Sequence, residues 1–447
     1  MKAKKALTAA LICAVAASLT GCNFGDLGTE SLIRPPKTNG DEAEIEQLIS
    51  DTAEKDYILK YPKSGTHRSA IIMTDLDNNK SDEAIAFYCL NDKSKIEMHM
   101  LVMYCEKGIW KLSQNCIIEA TDVDCIEFAD VNGDGNLEIL SGYSTYSTGI
   151  NKLACHSFSD GETVALTVEC NYSSFAAADF DSDGNSEVMV LSLFTPENEA
   201  MATLLDYGEE KNCLYAKSSA IMDPNIISYK NISVTLLENG GYGLIVDGAL
   251  TTEEMNTQVI FFSNELSVLR NPLYKEKEKN VTQRGLKLLS YDINDDGCIE
   301  IPLVSALPHT IEEDASKVAD RVRWSTISLK AEIPTYVSDT VANYGCNYVF
   351  KMKESWIDNT VTARIDDERT MSFYHWSDNN LGDKLFTVKM FDLAEWDIGK
   401  DSDGYTLIYK NENYAYAFCD ANYDNEYSLS DDEIKTSFLY MPSIIAN

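Results

Sequence analysis

The nine residues from Asp130 to Glu138 read DVNGDGNLE, with oxygen-bearing side chains at positions 1, 3, 5 and 9 and glycine at positions 4 and 6. The apolar run ILSGY follows directly. Asp, Asn and Gly together favour a tight turn, and a short apolar run bounded by such a turn favours a β-strand. The stretch therefore predicts an acidic loop that leads into a strand.

Related loops occur three more times in the chain. They read DLDNNKSDE from Asp75, DFDSDGNSE from Asp179 and DINDDGCIE from Asp292, and each precedes a strand-like run, AIAFY, VMVLSL or IPLVSA. The four loops begin 55, 49 and 113 residues apart. Because the last gap is close to twice the first, a further unit is predicted at Thr235, where the strand Leu244-Ile245-Val246 is kept and no acid stands at a ligand position.

Five repeat units of about 50 to 57 residues therefore extend over residues 57–342, each long enough for several strands. A period of this length is typical of a β-propeller blade rather than a solenoid coil. From Asn343 the acidic loop no longer recurs. Strand-like runs and a terminal helix, which Ser430 and Glu433 open with a capping box, predict an α+β domain over residues 343–447.

The alternating oxygen ligands predict calcium, which prefers six to eight hard oxygen atoms. Three loops carry glycine at position 6, where a tight turn needs a positive φ. Their predicted ligands are Asp130, Asn132, Asp134 and Glu138; Asp179, Asp181, Asp183 and Glu187; and Asp292, Asn294, Asp296 and Glu300. The predicted fold is mainly β: a β-propeller of at least five calcium-loop blades, followed by the C-terminal α+β domain.

The first loop is a weaker metal site. It keeps the candidate ligands Asp75, Asp77, Asn79 and Glu83, but Lys80 replaces the glycine and adds positive charge. The alternative for all four loops is a set of Asn- and Gly-rich hairpin turns that bind no metal. EF-hands are excluded, because the twelfth positions of the other loops carry no bidentate acid: Ser141, Val190 and Leu303.

A further acidic stretch, DANYDNEYSLSD from Asp420 to Asp431, has similarly spaced oxygen ligands. Asn425 replaces its glycine, so a plain turn is favoured over a metal site. With the repeated loops, residues 57–342 resemble the FG-GAP or VCBS repeat family of β-propellers, which includes the head of integrin α-subunits. The resemblance implies this fold and a calcium ion in the blade loops, and it implies no particular partner.

The amino terminus predicts export. A basic head with Lys2, Lys4 and Lys5 precedes an apolar run from Ala6 to Leu19, the layout of a secretory signal peptide over residues 1–21. The run is shorter than the ~20 residues that a spanning helix needs. Cleavage after the tripeptide at residues 14–16, which would release a free protein, is the alternative.

The ending Leu-Thr-Gly-Cys at residues 19–22 resembles the bacterial lipobox, which implies that lipid on Cys22 anchors the chain to the extracytoplasmic face of the cell membrane. The stretches LIRPPKTNGDEAEIEQ, LKYPKSGTHRSAIIMTDLDNNKSDEAIAFY and YVFKMKESW also resemble uncharacterised lipoproteins of clostridia-like gut Firmicutes. That resemblance implies a cell-surface location and no assigned activity. Residues 22–56 are predicted to form a tether with a short helix over residues 41–53.

Charge and motifs limit the function. A formal net charge of −35 repels nucleic-acid phosphates and anionic lipid headgroups. The five histidines are scattered, and no nucleophile elbow, P-loop or dinucleotide-binding glycine pattern occurs. The favoured function is a non-enzymatic binding or scaffold module for a surface protein or glycan. The alternatives are an extracytoplasmic glycan-active enzyme and an envelope-assembly or sensor lipoprotein. Disulfides and buried free cysteines stay equally open.

Overall fold

The computed structural model describes residues 40–53, 56–90, 97–145, 151–285, 288–421 and 426–442. Within these ranges the chain is mainly β, and six antiparallel sheets follow one another along the sequence. The predicted signal peptide, Cys22 and the tether to residue 39 lie outside the described residues. So do Asn422, Asp424 and Asn425 of the last acidic stretch.

The first three sheets cover residues 57–221. The first consists of β1 (Tyr57–Lys60), β2 (Ile71–Thr74), β3 (Glu83–Leu90), β4 (Met98–Glu106) and β5 (Ile109–Ile118). The second consists of β6 (Asp122–Ala129), β7 (Glu138–Ser144), β8 (Asn151–Ser159), β9 (Glu162–Leu166) and β10 (Asn171–Tyr172). The third consists of β11 (Ser174–Ala178), β12 (Glu187–Ser192), β13 (Met201–Gly208) and β14 (Cys213–Ile221).

The other three sheets cover residues 228–440. The fourth consists of β15 (Ser228–Leu236), β16 (Tyr242–Ala249), β17 (Glu254–Ser263), β18 (Val268–Arg270) and β19 (Arg284–Gly285). The fifth contains β20 (Ile301–Ala306), β21 (Asp320–Ser328), β22 (Ile333–Asn343) and β23 (Tyr348–Lys351). The sixth consists of β24 (Val361–Asp367), β25 (Thr370–Ser377), β26 (Asn380–Asp392), β27 (Thr406–Lys410) and β28 (Tyr414–Asp420), and β29 (Phe438–Tyr440) returns to β23 of the fifth.

Three α-helices accompany the sheets in the described residues. Helix α1 (Gly40–Ala53) confirms the predicted short helix, and it buries Ile45, Ile49 and Ala53, which share one helical face, against the first sheet. Helix α2 (Leu393–Asp397) follows β26. Helix α3 (Asp431–Ser437) begins at Ser430 with the predicted capping box. No helix among the described residues is long and apolar enough to cross a membrane.

Neighbouring sheets pack face to face through side chains of alternate residues. On β12, Val188 and Val190 pack on the second sheet, whereas Met189 and Leu191 pack on the fourth. Successive residues of a strand point to opposite faces, so a strand buried on both sides needs a continuous apolar run. This explains the run VMVLSL after the third loop. Further apolar clusters join the first sheet to the second, the fourth to the fifth and the fifth to the sixth.

The last hundred residues are joined to what precedes them. The boundary predicted after residue 342 falls inside the fifth sheet, because β22 and β23 form one antiparallel hairpin across it. One hydrophobic cluster also contains Val341 from one side and Phe350, Phe373 and Tyr416 from the other. The predicted strands of this region are present, but their core is shared with the fifth sheet.

The fourth sheet contains a buried ion pair. The guanidinium of Arg284 lies 2.9 Å from the carboxylate of Asp247, and both side chains are fully buried. The hydroxyl and backbone N–H of Ser290 also donate to this carboxylate. A buried pair is tolerated when further hydrogen bonds satisfy it, as they do here. The ten cysteines of the described residues are free thiols.

Candidate metal sites

The four acidic loops occupy equivalent places in the fold. We call residues 75–83, 130–138, 179–187 and 292–300 loops 1 to 4. Loops 1 to 3 each connect two strands that pair antiparallel: β2 to β3, β6 to β7 and β11 to β12. Loop 4 precedes β20, and a single β-bridge between Tyr291 and Glu300 takes the place of the first strand. The glutamate at position 9 therefore stands where the second strand begins.

Each loop is held by its own side chains. The aspartate at position 1 accepts the backbone N–H of position 6, at 2.8 Å for Asp75, 2.9 Å for Asp130, 3.2 Å for Asp179 and 2.8 Å for Asp292. The side chain at position 5 accepts the N–H of position 7, for example Asn136 to Asp134 at 2.8 Å. These bonds fold the loop so that its alternate side chains point inward.

Position 6 has the predicted left-handed conformation in all four loops. Its φ is +88° at Gly135, +102° at Gly184 and +87° at Gly297. Lys80 in loop 1 adopts the same conformation with a φ of +72°. A side chain with a Cβ is strained there, so loop 1 keeps the shape at a conformational cost that the glycine loops avoid.

The position 9 glutamates are the buried acids of the loops. Glu83, Glu138, Glu187 and Glu300 are at most 1% exposed. One oxygen of each accepts the backbone N–H of position 2, at 2.8 Å in loop 1 and 2.9 Å in the others. Burial raises the carboxyl pKa to about 7 in Glu83, Glu138 and Glu300 and to about 8 in Glu187.

Carboxylates converge in two of the loops. In loop 3, one oxygen from each of Asp179, Asp181, Asp183 and Glu187 lies within 4.8 Å of the others, and Asp75, Asp77 and Glu83 form a similar group in loop 1. The second carboxylate oxygen of Glu187 is buried and has no hydrogen-bond partner. The same is true of Oδ1 of Asp77. Acids brought this close repel each other, so the arrangement fits a cation.

Loops 2 and 4 carry asparagine at position 3 instead. The Asn132 amide donates to Glu138 at 2.9 Å and to Asp134 at 3.2 Å, and the Asn294 amide donates to Asp296 at 2.9 Å. The amide group thus lies between acids where a cation would bind. A partnerless buried oxygen remains on Glu300. An amide can turn its oxygen toward the metal, so these ligand sets also fit a cation.

The loops lie in a row and bond to one another. The N–H of Leu137 in loop 2 donates to the carbonyl of Leu76 in loop 1 at 2.7 Å, and that of Ser186 in loop 3 donates to the carbonyl of Asp130 in loop 2 at 2.8 Å. A metal bound in one loop would therefore act on residues that hydrogen-bond to the neighbouring loop. Nothing in the spacing of the motifs predicted these contacts.

The unit at Thr235 completes the row without acidic ligands. The hydroxyl of Thr235 accepts the N–H of Ile299 in loop 4 at 2.7 Å. On the other side, Gly241 lies close to loop 3, where a Cβ built on it would be 2.9 Å from the hydroxyl oxygen of Ser182. The strand β16 contains the predicted Leu244-Ile245-Val246. The unit keeps its place in the fold and contributes none of the predicted ligands.

A lysine side chain of the protein already pairs with an acid of loop 3. The ammonium of Lys217 on β14 pairs with Asp181, a predicted metal ligand, and lies 2.9 Å from Asp206 on β13. An amide hydrogen of Asn264 also donates to the Asp181 backbone carbonyl at 2.8 Å. A metal at loop 3 must share Asp181 with this ammonium or displace it toward Asp206. No local pattern pointed to Lys217, because it lies 30 residues after the loop.

No family model and no curated protein matches the chain. Among solved structures it is similar to rhamnogalacturonan lyase PL11 of Bacillus licheniformis, with 11% identity, 74% of this chain and 75% of that chain covered, and a TM-score of 0.31. It is also similar to Sqt1 of Saccharomyces cerevisiae, with 8% identity, 82% of this chain and 98% of that chain covered, and a TM-score of 0.34. A third similar structure is an exo-beta-1,3-galactanase of Phanerochaete chrysosporium, with 7% identity, 75% of this chain and 81% of that chain covered, and a TM-score of 0.28. Similarities this low carry no conclusion about function.

Replacement of Lys217 by methionine tests whether its ammonium competes with a metal. We expect Lys217→Met to tighten calcium binding at loop 3 roughly tenfold, because a positive charge at the ligand Asp181 is removed. Calorimetric titration with calcium measures the change, and loop 3 is the site that Glu187→Gln removes. Lys111→Met, which removes the ion pair with Glu106 on the first sheet, is the control. Unchanged or weaker binding in Lys217→Met would show that the ammonium does not compete.

Proposed function

We propose that this protein is a cell-surface lipoprotein whose acidic loops bind calcium, and that the calcium-stabilised sheets form a binding or scaffold module for a protein or glycan. The observation that carries the proposal is the repeated loop geometry. In loops 1 to 3 a buried glutamate begins a strand, and in loop 4 it directly precedes one; each stands beside aspartates or asparagines of its loop. The alternatives, a glycan-active enzyme and an envelope-assembly or sensor lipoprotein, stay predictions.

The donor set favours calcium over other metals. The predicted ligands in the loops are carboxylate and amide oxygens, without histidine or a thiol among them. Such hard oxygen ligands suit calcium and magnesium, whereas histidine and cysteine favour transition metals. Calcium tolerates irregular geometry and up to eight ligands, which suits the mixed carboxylate and amide oxygens of a nine-residue loop better than the strict octahedron of magnesium. Bound calcium would also compensate the glutamates that burial disfavours as anions.

The propeller is part of the proposal. Six sheets follow one another, and each packs on the next through apolar side chains on both faces. That arrangement is what the blades of a propeller have in common. On this view the five repeat units are blades, and the sixth sheet, from β24 to β28, is a further blade without an acidic loop.

The proposed location at the cell membrane rests on the sequence of the amino terminus. Acyl chains on Cys22 would gain about 0.8 kcal/mol for each CH₂ buried in the bilayer, enough for two chains to hold a soluble domain at the surface. Extracellular calcium modules bind at about 10⁻⁴ to 10⁻³ M, a range that suits calcium outside the cell. The strongly negative charge of the chain would keep its surface away from anionic headgroups, so the lipid itself is the proposed membrane contact.

Calcium should stabilise the folded chain. We expect a higher melting temperature in calcium than with chelator for the full-length protein in detergent, because each site adds about 2.7 kcal/mol when calcium is at 100 times its Kd. Differential scanning calorimetry measures the shift. Glu138→Gln and Glu187→Gln should each reduce it, whereas Glu119→Gln, an exposed acid outside the loops, should not. Equal melting temperatures in calcium and chelator would mean that the loops are only turns.

Lipidation is tested separately in the native host. Cells grown with labelled palmitate should yield labelled protein, and Cys22→Ala should remove the label, because the proposed acyl chains are attached through Cys22. Cys298→Ala, which leaves Cys22 in place, serves as the control and should keep the label. Absence of label from the unmodified protein, or its persistence in Cys22→Ala, would contradict the proposed anchor.

A further inference from the structure

A cleft opens where the first strands of the second, third and fourth sheets lie side by side. We call it the first-strand cleft; it is lined by residues of β6, β11 and β15 and has a volume of about 770 Å³. Pockets for small molecules typically have 300 to 1,000 Å³ and contain a few converging polar groups. The acidic loops lie outside its lining, so the cleft is separate from the metal sites.

Asp124 is the most firmly held polar group of the cleft. It stands at a β-bulge of β6, where the pairing with β7 skips from Val123 to Cys125. Its carboxylate accepts hydrogen bonds from the Tyr172 hydroxyl at 2.7 Å, the Asn151 amide at 3.0 Å and the Ser64 hydroxyl at 3.3 Å. Bulges often redirect a side chain toward a functional site, and four chain segments together fix this one.

Glu127 supplies a second carboxyl group with a different character. It lies on the same strand and lines the same cleft, where a Cβ built on Gly65 would be 3.4 Å from its Oε1. Burial raises its pKa, and nearby His67 counteracts this in part. A carboxyl group that is more easily protonated can donate a hydrogen bond as well as accept one. The cleft therefore offers a fixed acceptor and, three residues further along β6, a second carboxyl group.

The rest of the lining narrows the chemistry of the ligand. Ser174, Ser228 and Asn231 add uncharged hydrogen-bonding groups, and the half-buried Tyr229 adds an aromatic side chain. The charged residues of the lining are two acids, Asp124 and Glu127, and one base, Lys230. This local charge, in a chain with a net charge of −35, disfavours an anionic ligand. The carboxylate of Asp124 already accepts three hydrogen bonds from neutral donors, which leaves room for about one more hydroxyl and too few lone pairs for a cation. A neutral ligand rich in hydroxyl groups meets all of these conditions.

We infer that the first-strand cleft binds a neutral glycan, with Asp124 and Glu127 as hydrogen-bonding partners of its hydroxyl groups. The inference rests on the proposed function and deepens it, because it chooses glycan over protein as the ligand and locates the site. Sugar hydroxyls both donate and accept hydrogen bonds, as the lining requires. The ring faces of a sugar are less polar than its hydroxyl edges, which suits the aromatic surface of the cleft.

The test uses the full-length protein in calcium, in a detergent without a sugar headgroup. The probes are hexamers of neutral β-glucan, galactan, xylan, mannan and chitin, with polygalacturonate as the anionic comparison. We expect at least one neutral hexamer to bind in calorimetric titration. Asp124→Asn should weaken it about tenfold or more, because a hydrogen bond to a charged group is lost. Asp160→Asn, at an exposed turn with positive φ, should leave affinity unchanged.

Ser228→Trp provides a second test, in case Asp124→Asn disturbs the hydrogen-bonded cluster. It adds bulk to the cleft without removing any of these contacts, and it should abolish binding while the melting temperature in calcium stays at the wild-type value. Failure of every neutral hexamer to bind, preference for polygalacturonate, or binding that both cleft variants leave unchanged would overturn the inference. A protein that calcium stabilises but that binds no glycan would overturn this inference alone, without touching the proposed scaffold.

Discussion

The glutamate at the ninth position of each acidic loop places a carboxyl group inside the protein, at the residue where the second strand of the repeat begins. Its hydrogen bond to the backbone N–H of position 2 closes the loop, as Glu138 does with Val131 at 2.9 Å. Burial makes its charge unfavourable, and the aspartates of the loop add to the repulsion. A cation bound among these oxygens would relieve both effects, so the proposed metal binding would depend on the same carboxyl group that closes the loop.

The row of loops extends this local constraint across the sheets. Because loop 2 bonds to loop 1 and loop 3 to loop 2 through backbone groups, each loop helps to set the spacing of neighbouring sheets. The unit at Thr235 shows what is retained when the acids are absent. Its threonine hydroxyl still receives a hydrogen bond from loop 4, and the buried pair of Arg284 and Asp247 lies in the same sheet. The hydroxyl of Thr235 thus provides a polar contact at the place where other sheets have an acidic loop.

Much of this architecture could be predicted from the sequence, because it repeats. The loop motif located the turns, and the apolar runs after it, such as the one at Val188, located strands buried on both faces. The unit at Thr235, which lacks acidic ligands, was predicted from the repeat period alone. Contacts between distant residues could not be predicted. Lys217 reaches loop 3 from β14, and three other chain segments surround Asp124, so neither leaves a local pattern. The end of the repeat at Asn343 suggested a new domain, whereas strand pairing continues across that point.

Counting the bound metal tests the central claim most directly. Native mass spectrometry of the full-length protein, released from detergent in the presence of calcium, reports the number of ions on each chain. We expect at least three bound calcium ions, one fewer in each of Glu138→Gln, Glu187→Gln and Glu300→Gln, and no change in Glu119→Gln. A chain that carries no calcium, or that keeps the same number in all three loop variants, would contradict it.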